Sequence, residues 1–216
     1  MMKQEFKKYI PMLEFGIWDF QLDNLDIPYL IKECYKVKDK NYIPILEVGI
    51  WDCKLDTIDI PNLIKICYQT KKETPSNFRS NKNGGYQSTV ESIINNPLYF
   101  PIISKLNNFI QNFEKNPNIR IQSIWVNISP KGAYNSAHVH TSDVHNFENI
   151  SGVLYLQTPI NSGNFIGYNP LHPSIQGIHI TPKPGQLLLF SQYLLHSVEP
   201  NQSDEDRISI AFNFSK

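Results

Sequence analysis

The chain carries no surplus charge of either sign: 20 Lys and Arg are matched by 20 Asp and Glu over 216 residues. Without a basic stripe, neither a nucleic-acid backbone nor an anionic membrane is expected as a partner, because both reward accumulated positive charge. Long apolar runs are missing too, and no stretch approaches the roughly 20 apolar residues of a membrane span. At the N-terminus the lysines of residues 1–8 are followed by Glu14 and Asp19, which break any apolar segment, so no signal peptide is expected. Cysteine is scarce. Cys34, Cys53 and Cys67 are odd in number and lack metal-type spacing. Ordinary buried thiols in a reducing cytoplasm are therefore expected rather than a disulfide.

What is present favours strands and turns, with 15 prolines, 11 tyrosines and 12 phenylalanines. The length suits one well-buried domain with an appendage. The front of the chain holds a tandem repeat. Residues 9–38 and 42–71 align at a constant offset of 33, with 20 of 30 positions identical. Each copy reads as a strand followed by a helix. In the second, Leu46, Val48 and Ile50 alternate as a half-buried strand does. Asp59 then precedes Pro61 as an N-cap precedes a first turn, and Leu63, Ile64, Cys67 and Tyr68 recur at helical spacing. Solenoids need about three stacked units to bury a core, so two copies indicate a local duplication. One copy is expected to belong to the domain and the other to add a strand-helix layer. The alternative is that the spare copy competes for the same docking site and gives a homodimer.

Residues 73–88 are polar and glycine-containing, which predicts a loop. A helical pattern follows from about Thr89 to Asn116, broken at Asn95-Asn96-Pro97, with an apolar face over residues 100–115. From Ile119 the period changes to two. Short strands are expected over 121–128, 136–140, 152–157, 165–168, 177–180, 187–190, 194–198 and 207–214, with Asn161-Ser162-Gly163-Asn164 as a hairpin turn. The fold class is therefore mainly β with flanking helices, its core a double-stranded β-helix, or jelly roll, with helices on one outer sheet.

Within these strands His138 and His140 stand two residues apart, which places both on one face of an extended segment. A single strand histidine is ordinarily a hydrogen-bonded structural residue. An H-x-H pair joined by His196 at a later strand end instead favours a metal site, although imidazole suits iron, zinc, copper or nickel alike. Arg207 opens the last strand with Ser209 on the same face, and the run after it is largely apolar, so the strand is expected to be central. A lone arginine is usually a surface residue. An inward one on a central strand needs an anion, and a guanidinium grips a carboxylate with two parallel hydrogen bonds.

Trp125-Val126-Asn127, His138-x-His140, Ser151 to Tyr155, Ser162 to Phe165, Pro184 to Phe190, His196 and Arg207-x-Ser209 with Ala211-Phe212-Asn213, taken in this order, resemble the core of the iron(II)- and 2-oxoglutarate-dependent oxygenases. The branch most resembled is prolyl-hydroxylase-like and of phage or bacterial type, which implies a bacterial or phage-infected host cell. Ser80 to Ser88 also resembles a segment of that branch, so the likeness spans residues 42–214. Copy two then belongs to the oxygenase domain, 42–216, and residues 1–41 form a duplicated strand-helix unit.

The resemblance implies His138, His140 and His196 as Fe(II) ligands, with Arg207 holding the distal carboxylate of 2-oxoglutarate. Ser209 and Tyr155 would assist, and Asn127 would border the cosubstrate. The wider superfamily has a carboxylate where this chain has His140; Asp143 is the fallback ligand. His145 is read as part of a solvated rim loop, and His172 and His179 as outside the metal site. The implied reaction oxidises 2-oxoglutarate to succinate and CO2 while hydroxylating a substrate, either a small molecule or a protein side chain. Two alternatives stand beside it: a non-catalytic cupin-like protein holding zinc or nickel on three histidines, and an inactive scaffold that docks through the repeat.

Overall fold

The computed structural model describes residues 6–18, 42–55, 57–77, 79–140, 150–168 and 177–215, with side chains from Gly49 onward. The helix expected in the first repeat copy, Cys34, Asp143, His145 and His172 lie outside these residues. The chain begins with β1 (Phe6–Trp18), β2 (Tyr42–Lys54) and α1 (Ile60–Glu73), followed by β3 (Asn81–Lys82) and β4 (Tyr86–Gln87). Next come α2 (Glu91–Ile94), a 3-10 turn (Pro97–Tyr99) and α3 (Phe100–Phe113). The remaining strands are β5 (Arg120–Ser129), β6 (Tyr134–His138), β7 (Ile150–Gln157), β8 (Phe165–Gly167), β9 (Ile178–Ile180), β10 (Gln186–Ser191), β11 (His196–Val198) and β12 (Arg207–Ser215).

Two antiparallel sheets result. The larger runs β1-β2-β10-β7-β12-β5-β4 and the smaller β3-β6-β11-β8-β9. From β5 onward the chain passes repeatedly between the sheets, as in a jelly roll. The eight strands expected after Ile119 correspond to β5 through β12. Two local expectations change. The segment 73–88 is not wholly loop, because it holds the two-residue strands β3 and β4, which join different sheets across a tight turn at Asn83 and Gly84, both at positive φ, 51° and 79°. That backbone is what an Asn-Gly turn supplies. Asn161 to Asn164 likewise does not join a hairpin. It carries the chain from β7 in one sheet to β8 in the other, because turn residues reverse the chain without choosing its next partner.

Period-two patterning decides what each face of the large sheet meets. In β12, Ile208, Ile210, Phe212 and Phe214 are at most 1% exposed and join Leu63, Ile66 and Cys67 of α1 with Ile102, Leu106 and Phe109 of α3 in one core. Full burial of such a side chain contributes about 1.5–3 kcal/mol. This layer holds the sheet rigid from behind. Asp59 caps α1, its carboxylate accepting from Asn62 N at 3.1 Å, with Pro61 in the first turn. Cys53 and Cys67 are free thiols, and burial pushes both up to about 12, so they pack as small apolar groups.

The strand of the first repeat copy pairs directly with that of the second at the sheet edge. Their register is nearly symmetric: Tyr9 opposes Trp51 and Trp18 opposes Tyr42, Ile10 opposes Ile50 and Ile17 opposes Ile43, all about Glu14 opposite Glu47. Each opposed pair maps onto its mate under the 33-residue offset. Two near-identical strands have thus paired about a pseudo-two-fold axis.

Candidate metal centre

The inward face of the large sheet is built from cross-strand rows. β12 lies between β5 and β7, so Asn213 opposes Ser123 and Ser151, Ala211 opposes Trp125 and Val153, and Ser209 opposes Asn127 and Tyr155; Arg207 opposes Ser129. Paired residues share a face, so the odd-numbered residues of β12 point away from the helices and into the space between the sheets. Ala211 keeps the middle of this face low. One cavity is lined from both sheets, by Tyr155, Arg207 and Ser209 on one side and His138, His196 and Phe165 on the other.

His138 ends β6 and lies directly opposite His196, which opens β11. His140 falls just beyond β6, yet its backbone N–H still donates to Gln192 O at 3.0 Å, so the chain stays extended and the ring returns to the same side. The three candidate ligand nitrogens lie within 4.8 Å of one another, and the Nε2 atoms of His138 and His140 are 3.3 Å apart. Two nitrogens each about 2.1 Å from one ion stand roughly 3–3.5 Å apart, so small adjustments bring all three into coordination range.

Hydrogen bonding on the outer side of the rings determines what faces inward. His138 Nδ1 lies 2.7 Å from Ser136 O, and His196 Nδ1 2.9 Å from Leu194 O. A carbonyl only accepts, so each Nδ1 carries the proton and each Nε2 presents a lone pair. His140 Nδ1 lies 2.8 Å from both Asn213 Oδ1 and Ser151 Oγ. Desolvation keeps all three imidazoles neutral: His138 is lowered, His140 is lowered to about 4, and His196 is held well below its usual value, with the neighbouring histidines adding to the last two. Converging neutral lone pairs repel unless a cation lies between them, and a divalent metal meets that need. The donor set fits.

On the other side of the cavity, Arg207 is 3% exposed. Its Nη1 donates to the backbone oxygens of Ser162 and of Glu199, the latter at 3.1 Å, while Nη2 is buried with no partner. The Tyr155 hydroxyl and Asn127 Oδ1 are likewise buried and unpartnered. Burial lowers the Arg207 guanidinium somewhat and raises the Tyr155 phenol, so the cavity holds one cation beside a neutral hydroxyl donor. Unpaired buried donors are costly, and a ligand carboxylate would satisfy both. Gly163, at φ 87°, lets the backbone pass Arg207: a Cβ there would stand 2.9 Å from Nη1 and 2.5 Å from Glu199 O.

The described residues expected to form the site line one cavity: His138, His140 and His196 form one cluster, and Arg207, Ser209, Tyr155 and Asn127 form the facing wall. His179 lies apart, exposed on β9, its Nδ1 3.5 Å from Glu199 Oε1. Sequence reasoning assigned no role to Ser123, Ser151 and Asn213, the partners behind His140. Asn213 lies six residues after Arg207 on the same strand face, and that period was the available signal.

Residues 123–213 match the family described as "Putative 2OG-Fe(II) oxygenase". No curated protein sequence matches the chain significantly. Among solved structures, the chain is similar to a prolyl-4-hydroxylase from Pseudomonas putida, at 14% identity and TM-score 0.60, over 78% of this chain and 93% of that one. It is similar to the 2-oxoglutarate complex of a viral collagen prolyl hydroxylase from Paramecium bursaria Chlorella virus-1, at 16% identity and TM-score 0.54, over 77% and 96%. It is also similar to SnoK, an alpha-ketoglutarate-dependent carbocyclase of nogalamycin biosynthesis, at 10% identity and TM-score 0.64, over 77% and 79%. At these identities the shared property is the jelly-roll fold. The fold and the site define a jelly-roll protein with three histidines arranged as a metal site. The family match over residues 123–213 covers the segments that carry the three histidines and Arg207.

Proposed function

We propose that the protein is a hydroxylase of the iron(II)- and 2-oxoglutarate-dependent oxygenase superfamily, coupling oxidation of 2-oxoglutarate to hydroxylation of a small molecule or a protein side chain. One observation carries the reading: a buried guanidinium and a buried phenol, both with unpartnered donors, share a cavity with three converging imidazoles. A plain metal store has no use for the first pair. His138, His140 and His196 would hold the iron through Nε2. Arg207 Nη2 and the Tyr155 hydroxyl would take the distal carboxylate of 2-oxoglutarate, with Ser209 beside them and Asn127 at the border. Bound iron with 2-oxoglutarate supplies the oxidising chemistry: 2-oxoglutarate, O2 and R–H become succinate, CO2 and R–OH.

The chain's own residues do the placing. The backbone oxygens of Ser162 and Glu199 fix Nη1, so Nη2 points one way. Phe165 stacks on the His196 ring and Phe190 tilts against it, at centroid distances of 5.3 and 4.8 Å, and together they hold the ring in a buried position. No acid–base pair is required of the protein. The test is O2-dependent succinate formation from 2-oxoglutarate with added Fe(II), using His196→Ala and Arg207→Lys as controls. Production above both controls supports the reading. Failure to bind either metal or 2-oxoglutarate overturns it. Metal binding without 2-oxoglutarate binding would favour the cupin-like store.

A further inference from the structure

We infer that Asn213, backed by Ser123 and Ser151, is the positioning residue that makes His140 a metal ligand. The inference rests on the three histidines being a metal site. His138 and His196 need no such help, because each donates Nδ1–H to a main-chain carbonyl two residues earlier on its own strand segment. Those partners come with the backbone and survive any side-chain change. His140, placed past the end of β6, has only side chains behind it. Both reach it from the opposite sheet: Asn213 on β12 and Ser151 on β7, each at 2.8 Å from Nδ1.

The three partners form one cross-strand row. Asn213 opposes Ser123 on one side and Ser151 on the other. Asn213 Nδ2 donates to Ser123 Oγ at 3.0 Å, which turns the amide so that Oδ1 faces the histidine. Ser151 Oγ donates to that same Oδ1 at 2.8 Å. Oδ1 can therefore only accept from His140, so Nδ1 carries the proton and Nε2 is left bare, 3.3 Å from Nε2 of His138. Trp125 closes the other side of the ring edge-on, with centroids 5.4 Å apart. Tautomer and orientation are thus both set from behind. An outer partner of this kind typically changes metal affinity by about 10- to 100-fold. The row gives an imidazole, at a place where the wider superfamily has a carboxylate, the fixed direction that a carboxylate would have through its own geometry.

The experiment is titration of the metal-free full chain with Co(II), reading affinity by competition and site geometry by the ligand-field absorption. Asn213→Leu keeps the volume and removes the acceptor; Asn213→Asp keeps an acceptor and can do nothing else. Co(II) binding about 10- to 100-fold weaker in N213L, with an altered ligand-field spectrum, is expected. N213D should bind at least as tightly as the parent chain. Equal affinity and spectrum in N213L overturns the inference while leaving the metal site intact. No Co(II) binding by the parent chain would instead overturn the metal site itself. Should N213L fail to melt cooperatively, the N213D arm decides: retained or tighter binding supports the role, and a tenfold loss refutes it.

Discussion

Replacing Arg207 by lysine keeps the positive charge and discards the fork. In the parent chain Nη1 is committed to the carbonyl oxygens of Ser162 and Glu199, and Nη2 is free toward the cavity. A lysine ammonium has donors enough, but they radiate from one atom and cannot serve two wall carbonyls and a carboxylate in separate directions. At least one charge-assisted bond is lost on 2-oxoglutarate binding. Such bonds are worth about 1.5–3 kcal/mol, which is roughly a 10- to 150-fold rise in Kd. Arg207→Met should cost more, on the order of 2–5 kcal/mol, because the ligand carboxylate would then be buried unpaired. Calorimetric titration of 2-oxoglutarate into the Co(II)-loaded protein without oxygen measures both. Co(II) affinity should stay within about twofold, since Arg207 contacts none of the histidines. A 2-oxoglutarate Kd in R207K within about twofold of the parent would refute the assignment.

Gly163→Ala should injure the same wall from behind. The strain of a positive-φ alanine, on the order of 1–3 kcal/mol, should appear in urea melts, and 2-oxoglutarate affinity should fall as the new Cβ presses on Nη1; two unchanged values would contradict the packing described. The three buried imidazoles set a pH dependence for the metal-free chain. All are lowered in the fold, His140 to about 4, while unfolded histidine titrates near 6.5. As pH falls below about 6.5 the unfolded chain takes up protons first, so stability should drop between about pH 6.5 and 4. Tm measured at several pH values checks this, and His140→Gln should flatten the slope; a Tm independent of pH across that window would count against burial of neutral rings. Finally, the two-fold register of β1 on β2 means that a chain beginning at Lys40 offers its free β2 edge to a second β2. Sedimentation should show dimers of that shortened chain, and strict monomers at high concentration would argue against exchange through the repeat.

Much of this architecture was legible because one physical rule, alternation, governs both the strands and the site. β12 shows it best: Ile208, Ile210, Phe212 and Phe214 face the helices, so Arg207 and Ser209 had to face the cavity. The same rule placed His138 and His140 together even though the strand ends at His138. The short strands flanking Asn83-Gly84 were missed because two-residue strands carry no period, leaving the turn dipeptide as the sole cue. The link from Asn161 to Asn164 was read as a hairpin because local turn chemistry does not say which sheet a strand joins. The shared role of Ser123, Ser151 and Asn213 was hidden for a different reason. Small polar residues on separate strands resemble solvated faces until the register of three strands sets them in one row behind His140.

The central claim is that one metal site and one carboxylate site share the cavity, and binding stoichiometry tests it most directly. Oxygen-free titration of the full chain with Fe(II), followed by 2-oxoglutarate, should give one equivalent of each per chain. Iron binding should be lost in His196→Ala and 2-oxoglutarate binding weakened in Arg207→Lys. A chain that binds neither iron nor 2-oxoglutarate would contradict the account.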